Sequence, residues 1–170
     1  MKRIVIIGNP GSGKSTLGRH LAQKLGYPLA DLDDLYWLPN WTERPKDQLT
    51  SLIEAATSAD SWIICGNSST YRHLMWPKAD TIIWLDPPLP VLLWRVIKRT
   101  VKNLTQKTAI CNGNYETLRR LFGSNSIIYW LLRSYFRHRP DWKKQRSLVT
   151  HVKWIYIRRS KDMRFLEPHK

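Results

Sequence analysis

The sequence has little cysteine, little acid and no long apolar run. Cys65 and Cys111 are its only cysteines, too few for the disulfide framework of a small secreted domain. Free thiols suit a reducing compartment. No apolar run approaches the roughly 20 residues that a membrane-spanning helix needs. These absences exclude a disulfide scaffold and a membrane span, and they predict a cytoplasmic protein without a membrane partner.

The shortage of acidic residues is concentrated in one half of the chain. The 170 residues contain 28 Lys+Arg and 13 Asp+Glu, a net charge of +15. Residues 1–85 hold 9 Lys+Arg against 8 Asp+Glu, whereas residues 86–170 hold 19 against 5, a net +14. A basic half indicates a nucleic-acid surface or a pocket for several phosphates. The 42% hydrophobic content argues against global disorder, and the length fits one domain spanning residues 1–170.

A glycine-rich segment, GNPGSGKS at residues 8–15, matches the phosphate-binding pattern G-x-x-x-x-G-K-[ST] at every fixed position. A β-branched apolar run at residues 3–7 precedes it, as expected of a strand buried in a parallel sheet. Leucines at helical spacing follow it until Gly26, a candidate helix C-cap. The motif therefore lies in strand-loop-helix context. That context disfavours the alternative, a glycine-rich turn in an unrelated α/β protein.

The residue types of this P-loop match the chemistry of a nucleoside triphosphate. Its glycines let consecutive N–H groups face phosphate oxygens, and the following helix adds its positive N-terminal end. Lys14 is expected to reach the β- and γ-phosphates of ATP, Ser15 to hold Mg²⁺, and Thr16 to donate to the α-phosphate. The predicted nucleotide-binding residues are Gly8, Asn9, Pro10, Gly11, Ser12, Gly13, Lys14, Ser15 and Thr16.

Three carboxylates, Asp31, Asp33 and Asp34, follow a second predicted strand at residues 27–30. Side chains just past the C-terminal end of a parallel strand point at the crevice where α/β proteins bind ligands. Asp33 or Asp31 is a candidate to order the Mg²⁺ shell or to take the proton from an attacking hydroxyl. The alternative is a solvated acidic N-terminus of the next helix.

Two further stretches border this predicted crevice. Residues 35–41, LYWLPNW, are aromatic and turn-rich, unlike a regular element. They suit one wall of an acceptor pocket or, equally, a packed surface loop. A third strand at residues 62–65 leads into Gly66, whose missing side chain permits close approach by a ligand.

The segment from residue 103 to about residue 140 is basic, and we interpret it as a lid-like insertion over the phosphates. Arginine forks suit the spread charge of a transferring phosphoryl group. The alternative is a helical hairpin with a solvated or nucleic-acid-facing basic side. The preceding helix, predicted over residues 89–103, carries Arg95 and Arg99 one turn apart. The arginines of the insertion are Arg119, Arg120, Arg133, Arg137 and Arg139.

Short apolar strands alternate with helical segments along the whole chain. Further strands are predicted at residues 81–85 and 152–157, and further helices at 45–59, at 127–136 and in the tail beyond Ser160. This alternation indicates a parallel sheet with helices on both faces. The predicted fold is therefore a three-layer α/β domain.

With these residues in hand, the chain resembles the P-loop kinases related to adenylate kinase and shikimate kinase. It resembles more closely the bacterial group of DNA topology modulation (FlaR-like) proteins. Besides the P-loop, the matching segments are LDxLxWxPxW at residues 32–41, WIIxGN at 62–67, ADTII at 79–83, RxxxR at 95–99 and RxRP at 137–140. The resemblance implies a five-stranded parallel sheet in the order 2-3-1-4-5 and an arginine-bearing lid. It also implies that Asp33, rather than Asp31, is the matched carboxylate.

The chain departs from these relatives at two places. They usually carry an acidic residue before the glycine that ends the third strand, where this chain has Cys65. A thiol cannot replace a carboxylate in ordering Mg²⁺-bound water, so either Asp33 carries that duty alone or phosphoryl transfer is weak. The arginine usual in adenylate kinases shortly after that glycine is also unmatched. This mismatch argues against an ordinary nucleoside monophosphate as the acceptor.

The sequence thus predicts an ATP- and Mg²⁺-dependent kinase acting on an unidentified small molecule. Its predicted catalytic residues are Lys14, Asp33, Arg99, Arg137 and Arg139, and its predicted metal-site residues are Ser15 and Asp33. The catalytic means would be positioning and charge stabilisation. The alternative function is a nucleotide-dependent nucleic-acid-binding protein whose basic half tracks phosphates, with weak or no kinase activity.

Overall fold

The computed structural model describes residues 1–117, 126–159 and 162. The strands in chain order are β1 (Arg3–Gly8), β2 (Leu29–Asp31), β3 (Trp37–Leu38), β4 (Thr42–Glu43), β5 (Trp62–Cys65), β6 (Thr81–Leu85) and β7 (Lys153–Ile157). Five of them form a parallel sheet in the order β2-β5-β1-β6-β7, and β3 and β4 form a separate antiparallel pair. Numbered by sheet strand alone, this order is 2-3-1-4-5. The predicted parallel sheet and its topology are confirmed.

Helices cover both faces of the sheet. They are α1 (Lys14–Leu25), α2 (Leu32–Tyr36), α3 (Lys46–Ala56), α4 (Arg72–Met75), α5 (Leu89–Gln106) and α6 (Ile127–Leu148). One face packs against α1 through Leu17 and Leu21, and the other packs against α3 and α6 through Leu49 and Trp142. Because both faces are covered, every residue of β5 and β6 is buried, which explains their unbroken apolar sequences.

Several element bounds differ from the sequence prediction. β2 begins at Leu29 and includes Asp31, which pairs with Cys65, so the first carboxylate belongs to the strand itself. α5 continues three residues past the predicted end and stops where Lys107 turns into a left-handed conformation, with φ at 46°. α6 runs twelve residues beyond the predicted residue 136 and contains Pro140. Packing of its second half outweighs the hydrogen bond that Pro140 cannot donate.

The aromatic segment at residues 35–41 is more ordered than its sequence predicts. It contains the end of α2, strand β3 and a 3-10 turn at Pro39–Trp41. Asn40 and Trp41 have φ values of 60° and 55°, which is uncommon for residues other than glycine. Among the described residues, no helix is both long and apolar enough to cross a membrane. Arg119, Arg120 and all of the predicted tail helix except residue 162 lie outside the described residues.

A buried ion pair attaches α6 to the sheet. Asp86 follows β6, and its side chain is fully buried. Arg139 donates to its Oδ2 from Nε at 2.9 Å, and the Tyr156 hydroxyl donates to the same oxygen at 2.7 Å. The sequence prediction placed Arg139 over the phosphates, whereas its guanidinium here is bonded to Asp86.

Replacing Arg139 with alanine is expected to destabilise the fold by about 3–5 kcal/mol, because it leaves the Asp86 carboxylate buried without its cation. Urea unfolding followed by circular dichroism measures the change. The matched control is Arg137→Ala, since Arg137 is exposed and lies two residues away on the same helix. Equal effects of the two substitutions would show that the ion pair does not anchor α6.

Candidate functional site

The P-loop joins β1 to α1 at the carboxyl edge of the sheet. Gly11 and Gly13 have φ values of 78° and 97°, conformations that favour glycine. A Cβ on Gly11 would lie 2.9 Å from the Leu92 carbonyl oxygen, so this glycine also allows α5 to pack closely. A Cβ on Gly13 would meet nothing within 4 Å, so the loop faces open space there. The loop is therefore a backbone cradle that opens beside the start of α1.

Lys14 lies across this cradle. Its ammonium donates to the carbonyl oxygens of Gly8 at 2.7 Å and Asn9 at 3.2 Å. The surrounding protein displaces water from the ammonium and lowers the pKa of Lys14, while the charges of Asp33 and Asp31 oppose that shift. A cation is thus held at the loop, next to two carboxylates.

The cradle contains buried polar groups that suit a phosphate ligand. Asn9 and Ser12 are 1% and 5% exposed. Asn9 Nδ2 and Ser12 Oγ have no hydrogen-bond partner within the described part of the chain. An orphaned buried donor costs free energy, and a phosphate oxygen would supply the missing acceptor. The loop residues therefore fit the triphosphate that the motif predicts.

Two residues outside the loop hold it in place. Asn67, just after β5, accepts from the Gly8 N–H at 2.9 Å and donates to the Gly8 carbonyl oxygen. Ser134 of α6 donates to Asn9 Oδ1 at 3.2 Å. Asn67 lies within the Gly-Asn segment, but the sequence prediction gave it no role. Ser134 carried no recognisable signal, because its contact spans 125 positions of sequence.

Ser15, the predicted magnesium ligand, is paired with Asp31. Its hydroxyl donates to Asp31 Oδ2 at 2.5 Å, and Asp31 Oδ1 accepts from the Asp33 N–H at 3.1 Å. The structure therefore brings Asp31, rather than Asp33, next to Ser15, because β2 extends far enough to bring Asp31 beside α1. A hydroxyl and a carboxylate are hard oxygen ligands of the kind that Mg²⁺ takes.

Asp33 lies in the first turn of α2, close enough to Lys14 for their charges to interact. Its side chain keeps an exposed surface, yet the protein around it displaces enough water to raise its pKa, and the Lys14 charge opposes that shift. Arg99 is exposed on α5, and its charge acts on both Lys14 and Asp33. Arg137 is exposed on α6. The structure thus gathers Lys14, Asp33 and Arg99 around the cradle.

The Cys65 side chain contacts the P-loop and helix α1. Its thiol is fully buried and donates to the Lys14 carbonyl oxygen at 3.4 Å. Burial raises the pKa of Cys65 to about 12, so the thiol is neutral at physiological pH. A Cβ on Gly18 would lie 2.4 Å from Cys65 Sγ, which shows how tightly α1 packs here. The backbone of Gly18 therefore lies directly against the Cys65 thiol.

Sequence reasoning missed a strap, residues 110–115, that crosses from α5 to the β3–β4 pair. Asn114, only 2% exposed, accepts from the Trp41 N–H at 2.7 Å and donates to the Leu38 carbonyl oxygen at 3.0 Å. Asn112 donates to the Trp37 carbonyl oxygen at 3.2 Å. The Asn-Gly-Asn turn at residues 112–114 was the available signal. The strap joins the base of the predicted lid to the aromatic segment.

Parts of the chain are similar in sequence to shikimate kinases and to other known proteins. A family model described as "Shikimate kinase" matches residues 10–39. The shikimate kinase of Synechococcus elongatus is 30% identical over 109 residues, which cover 55% of this chain and 56% of that protein. Threonine synthase-like 1 of Macaca fascicularis is 28% identical over 110 residues, covering 56% of this chain but 15% of that protein. The chain therefore spans about half or less of the length of these relatives.

A solved structure supports the same fold over almost the whole chain. Shikimate kinase from Acinetobacter baumannii, in complex with shikimate, matches with a TM-score of 0.61 at 17% sequence identity. The match covers 98% of this chain and 92% of that one. At this identity the similarity establishes the α/β P-loop kinase fold.

Cys65→Asp is expected to destabilise the fold by about 3 kcal/mol or more, because it buries a carboxylate at a fully buried position where the like charge of Asp31 acts on it. Cys65→Ser, nearly the same size, is the matched control and should cost less. Thermal melting of both variants measures the difference. A Cys65→Asp variant as stable as Cys65→Ser would show that the site accepts the carboxylate found in related kinases.

Proposed function

We propose that this protein is an ATP- and Mg²⁺-dependent kinase that phosphorylates a small hydroxylated molecule. The observation that carries the proposal is the cluster at the carboxyl edge of the sheet: Lys14 across the cradle, and the Ser15–Asp31 pair beside it. The similarity to shikimate kinases supports a small acceptor with a hydroxyl group. Membership of the DNA topology modulation group and a cytoplasmic location belong to the same proposal.

Each residue has a role that follows from its position. Lys14 moves from the Gly8 and Asn9 carbonyls to the β- and γ-phosphates, and the loop N–H groups with Ser12 hold phosphate oxygens. Ser15 and Asp31, whose side chains are hydrogen-bonded to each other, would hold Mg²⁺. When bound, Mg²⁺ neutralises charge on the β- and γ-phosphates. The protein thus acts by positioning the reactants and stabilising charge.

Asp33 is assigned to the acceptor. Its raised pKa makes it a stronger base than an ordinary aspartate, which suits a group that takes the proton of an attacking hydroxyl. Arg99, whose charge reaches both Lys14 and Asp33, is assigned to the transferring phosphoryl group. Arg137 and Arg139 are kept as lid arginines, although Arg139 must first leave Asp86 to take that role.

The position of the strap is evidence that the acceptor site is small. It is bonded to the β3–β4 pair through Asn114, and Cys111 within it is close enough to interact with the charges of Asp33 and Asp34. The strap and the aromatic segment therefore border the side of the cluster where Asp33 lies. This arrangement favours a small metabolite over a macromolecular acceptor.

A phosphoryl-transfer screen with γ-labelled ATP over nucleosides, nucleotides and small hydroxylated metabolites tests the proposal. We expect Mg²⁺-dependent transfer to one chemical class, with preparations of Lys14→Ala reduced about 100-fold or more because the phosphate-facing cation is gone. Thr16→Ala, which keeps that cation, is the control and should retain more activity. Transfer that co-purifies with the protein and that Lys14→Ala leaves unchanged would refute the assignment.

Substitutions of Asp31 and Asp33 are expected to change different kinetic parameters. Asp31→Asn is expected to weaken the apparent Mg²⁺ affinity about 10–100-fold, because it removes the charge from the Ser15 pair. Asp33→Asn should lower kcat while leaving the Mg²⁺ dependence close to that of the wild type. Asp34→Asn is the matched control. Magnesium titration of ATP turnover measures all three, and a larger magnesium effect for Asp33→Asn would reverse the two roles.

The alternative function, nucleotide-dependent nucleic-acid binding, has one supporting observation. An open groove of about 400 Å³, distinct from the P-loop, is lined by Lys143, Arg146 and the aromatic Tyr156. Cations beside an aromatic ring suit single-stranded nucleic acid. A salt-dependent DNA-binding titration with and without MgATP distinguishes the functions. Tight salt-sensitive binding, together with no transfer in the screen, would favour this alternative.

A further inference from the structure

Helix α5 carries an apolar face that the described structure leaves uncovered. Its inner face is buried through Leu92 and Val96. On the opposite face Trp94 is 66% exposed, Val101 50% and Ile97 42%. Spacings of three and four residues place these three side chains on one line along the helix. An exposed apolar stripe that includes a tryptophan marks an interaction surface more often than a chance exposure.

The charge around this stripe has one sign. None of the 18 residues of α5 is acidic. Lys98 follows Trp94 by one turn, Lys102 follows Lys98 by another, and both lysines are exposed. The stripe and its two lysines, which we call the α5 outer face, combine apolar and cationic groups without a carboxylate.

Helix α6, which packs against α5, also exposes aromatic and basic side chains. α6 packs on α5 through Leu131 and exposes Trp130 by 52% and Phe136 by 68%, with exposed Arg133 between them. Asp141 is the single acidic residue of α6, and it is paired with Arg72. The combination of exposed aromatic and cationic groups is therefore shared by both packed helices.

The apolar and basic side chains of the α5 outer face favour one of three possible binding partners: a second copy of this chain, a nucleic acid or a membrane. A second copy would bring Lys98 and Lys102 of both chains together with no acid on either helix to pair with them. A nucleic acid would pair its phosphates with the lysines and stack a base on Trp94, but it would leave the aliphatic Ile97 and Val101 in water. An anionic bilayer surface can contact both the basic and the apolar side chains of this face. The lysines would lie at the lipid phosphates, and the apolar side chains would enter the boundary between headgroups and acyl chains.

We propose that the α5 outer face docks this protein on anionic phospholipid membranes, with α5 lying in the plane of the surface. A helix that lies on a membrane needs no span, so the absence of a long apolar run does not oppose this docking. The expectation from the sequence, that the protein has no membrane partner, considered spans alone. The proposal does not depend on the kinase function, because the face lies opposite the buried side of α5.

Co-sedimentation of the full chain with vesicles tests the docking. We expect binding to vesicles of phosphatidylcholine mixed with phosphatidylglycerol, little binding to phosphatidylcholine alone, and weaker binding in high salt. The double variant Trp94→Gln/Val101→Gln should bind about tenfold more weakly, because the apolar insertion is lost. Leu52→Gln is the matched control: Leu52 is 37% exposed on α3, and its loss should leave binding unchanged.

Lys98→Gln/Lys102→Gln separates the two contributions and should reduce both the affinity and its salt dependence. Thermal melting confirms that each variant is folded. Absence of vesicle binding, or binding that the Trp94→Gln/Val101→Gln variant retains in full, would overturn the proposal. The proposal would also be overturned if sedimentation equilibrium showed a dimer that the Trp94→Gln/Val101→Gln variant dissociates, because a second copy would then cover the α5 outer face.

Discussion

Strand β1 lies at the centre of the sheet between β5 and β6, and this position determines where the candidate site forms. β1 pairs with β5 from Arg3 to Ile6 and with β6 from Ile4 to Gly8, in parallel on both sides. Parallel pairing sends all strand ends to one edge. The P-loop, Asp31, the residues after Cys65, and Asp86 therefore meet at one place, although they are up to 78 positions apart in sequence.

The sheet and the cradle could be predicted because each is encoded by residues that are adjacent in the sequence. Apolar runs such as residues 62–65 predict buried strands, and GNPGSGKS predicts its own loop geometry. The residues alone left Asp31 and Asp33 as candidates for the magnesium site, and they did not single out the Ser15–Asp31 pair, because that pair depends on where β2 ends relative to α1. Likewise, nothing near Arg139 indicates that its partner is Asp86, 53 positions away. Long-range pairing of polar side chains is a property of the fold, which a single sequence does not display.

Two helices connect the candidate site to the surface. The inner side of α5 packs under Gly11, and Ser134 of α6 reaches Asn9, so both helices contact the P-loop. Their outer sides carry exposed aromatic and basic residues. A change in the position of either helix would therefore affect the cradle and the surface together. The buried Asp86–Arg139 pair limits such movement of α6, because separating it would leave a carboxylate uncompensated.

The proposed function requires that the cradle and the Ser15–Asp31 pair form one site for a metal-bound nucleoside triphosphate. Calorimetric titration of the wild-type chain with ATP, in the presence and absence of Mg²⁺, tests it most directly. We expect saturable one-to-one binding that is markedly tighter with Mg²⁺, because the Asp31 carboxylate then faces a cation instead of bare phosphate charge. Absence of binding, or an ATP affinity that does not change with Mg²⁺, would contradict it.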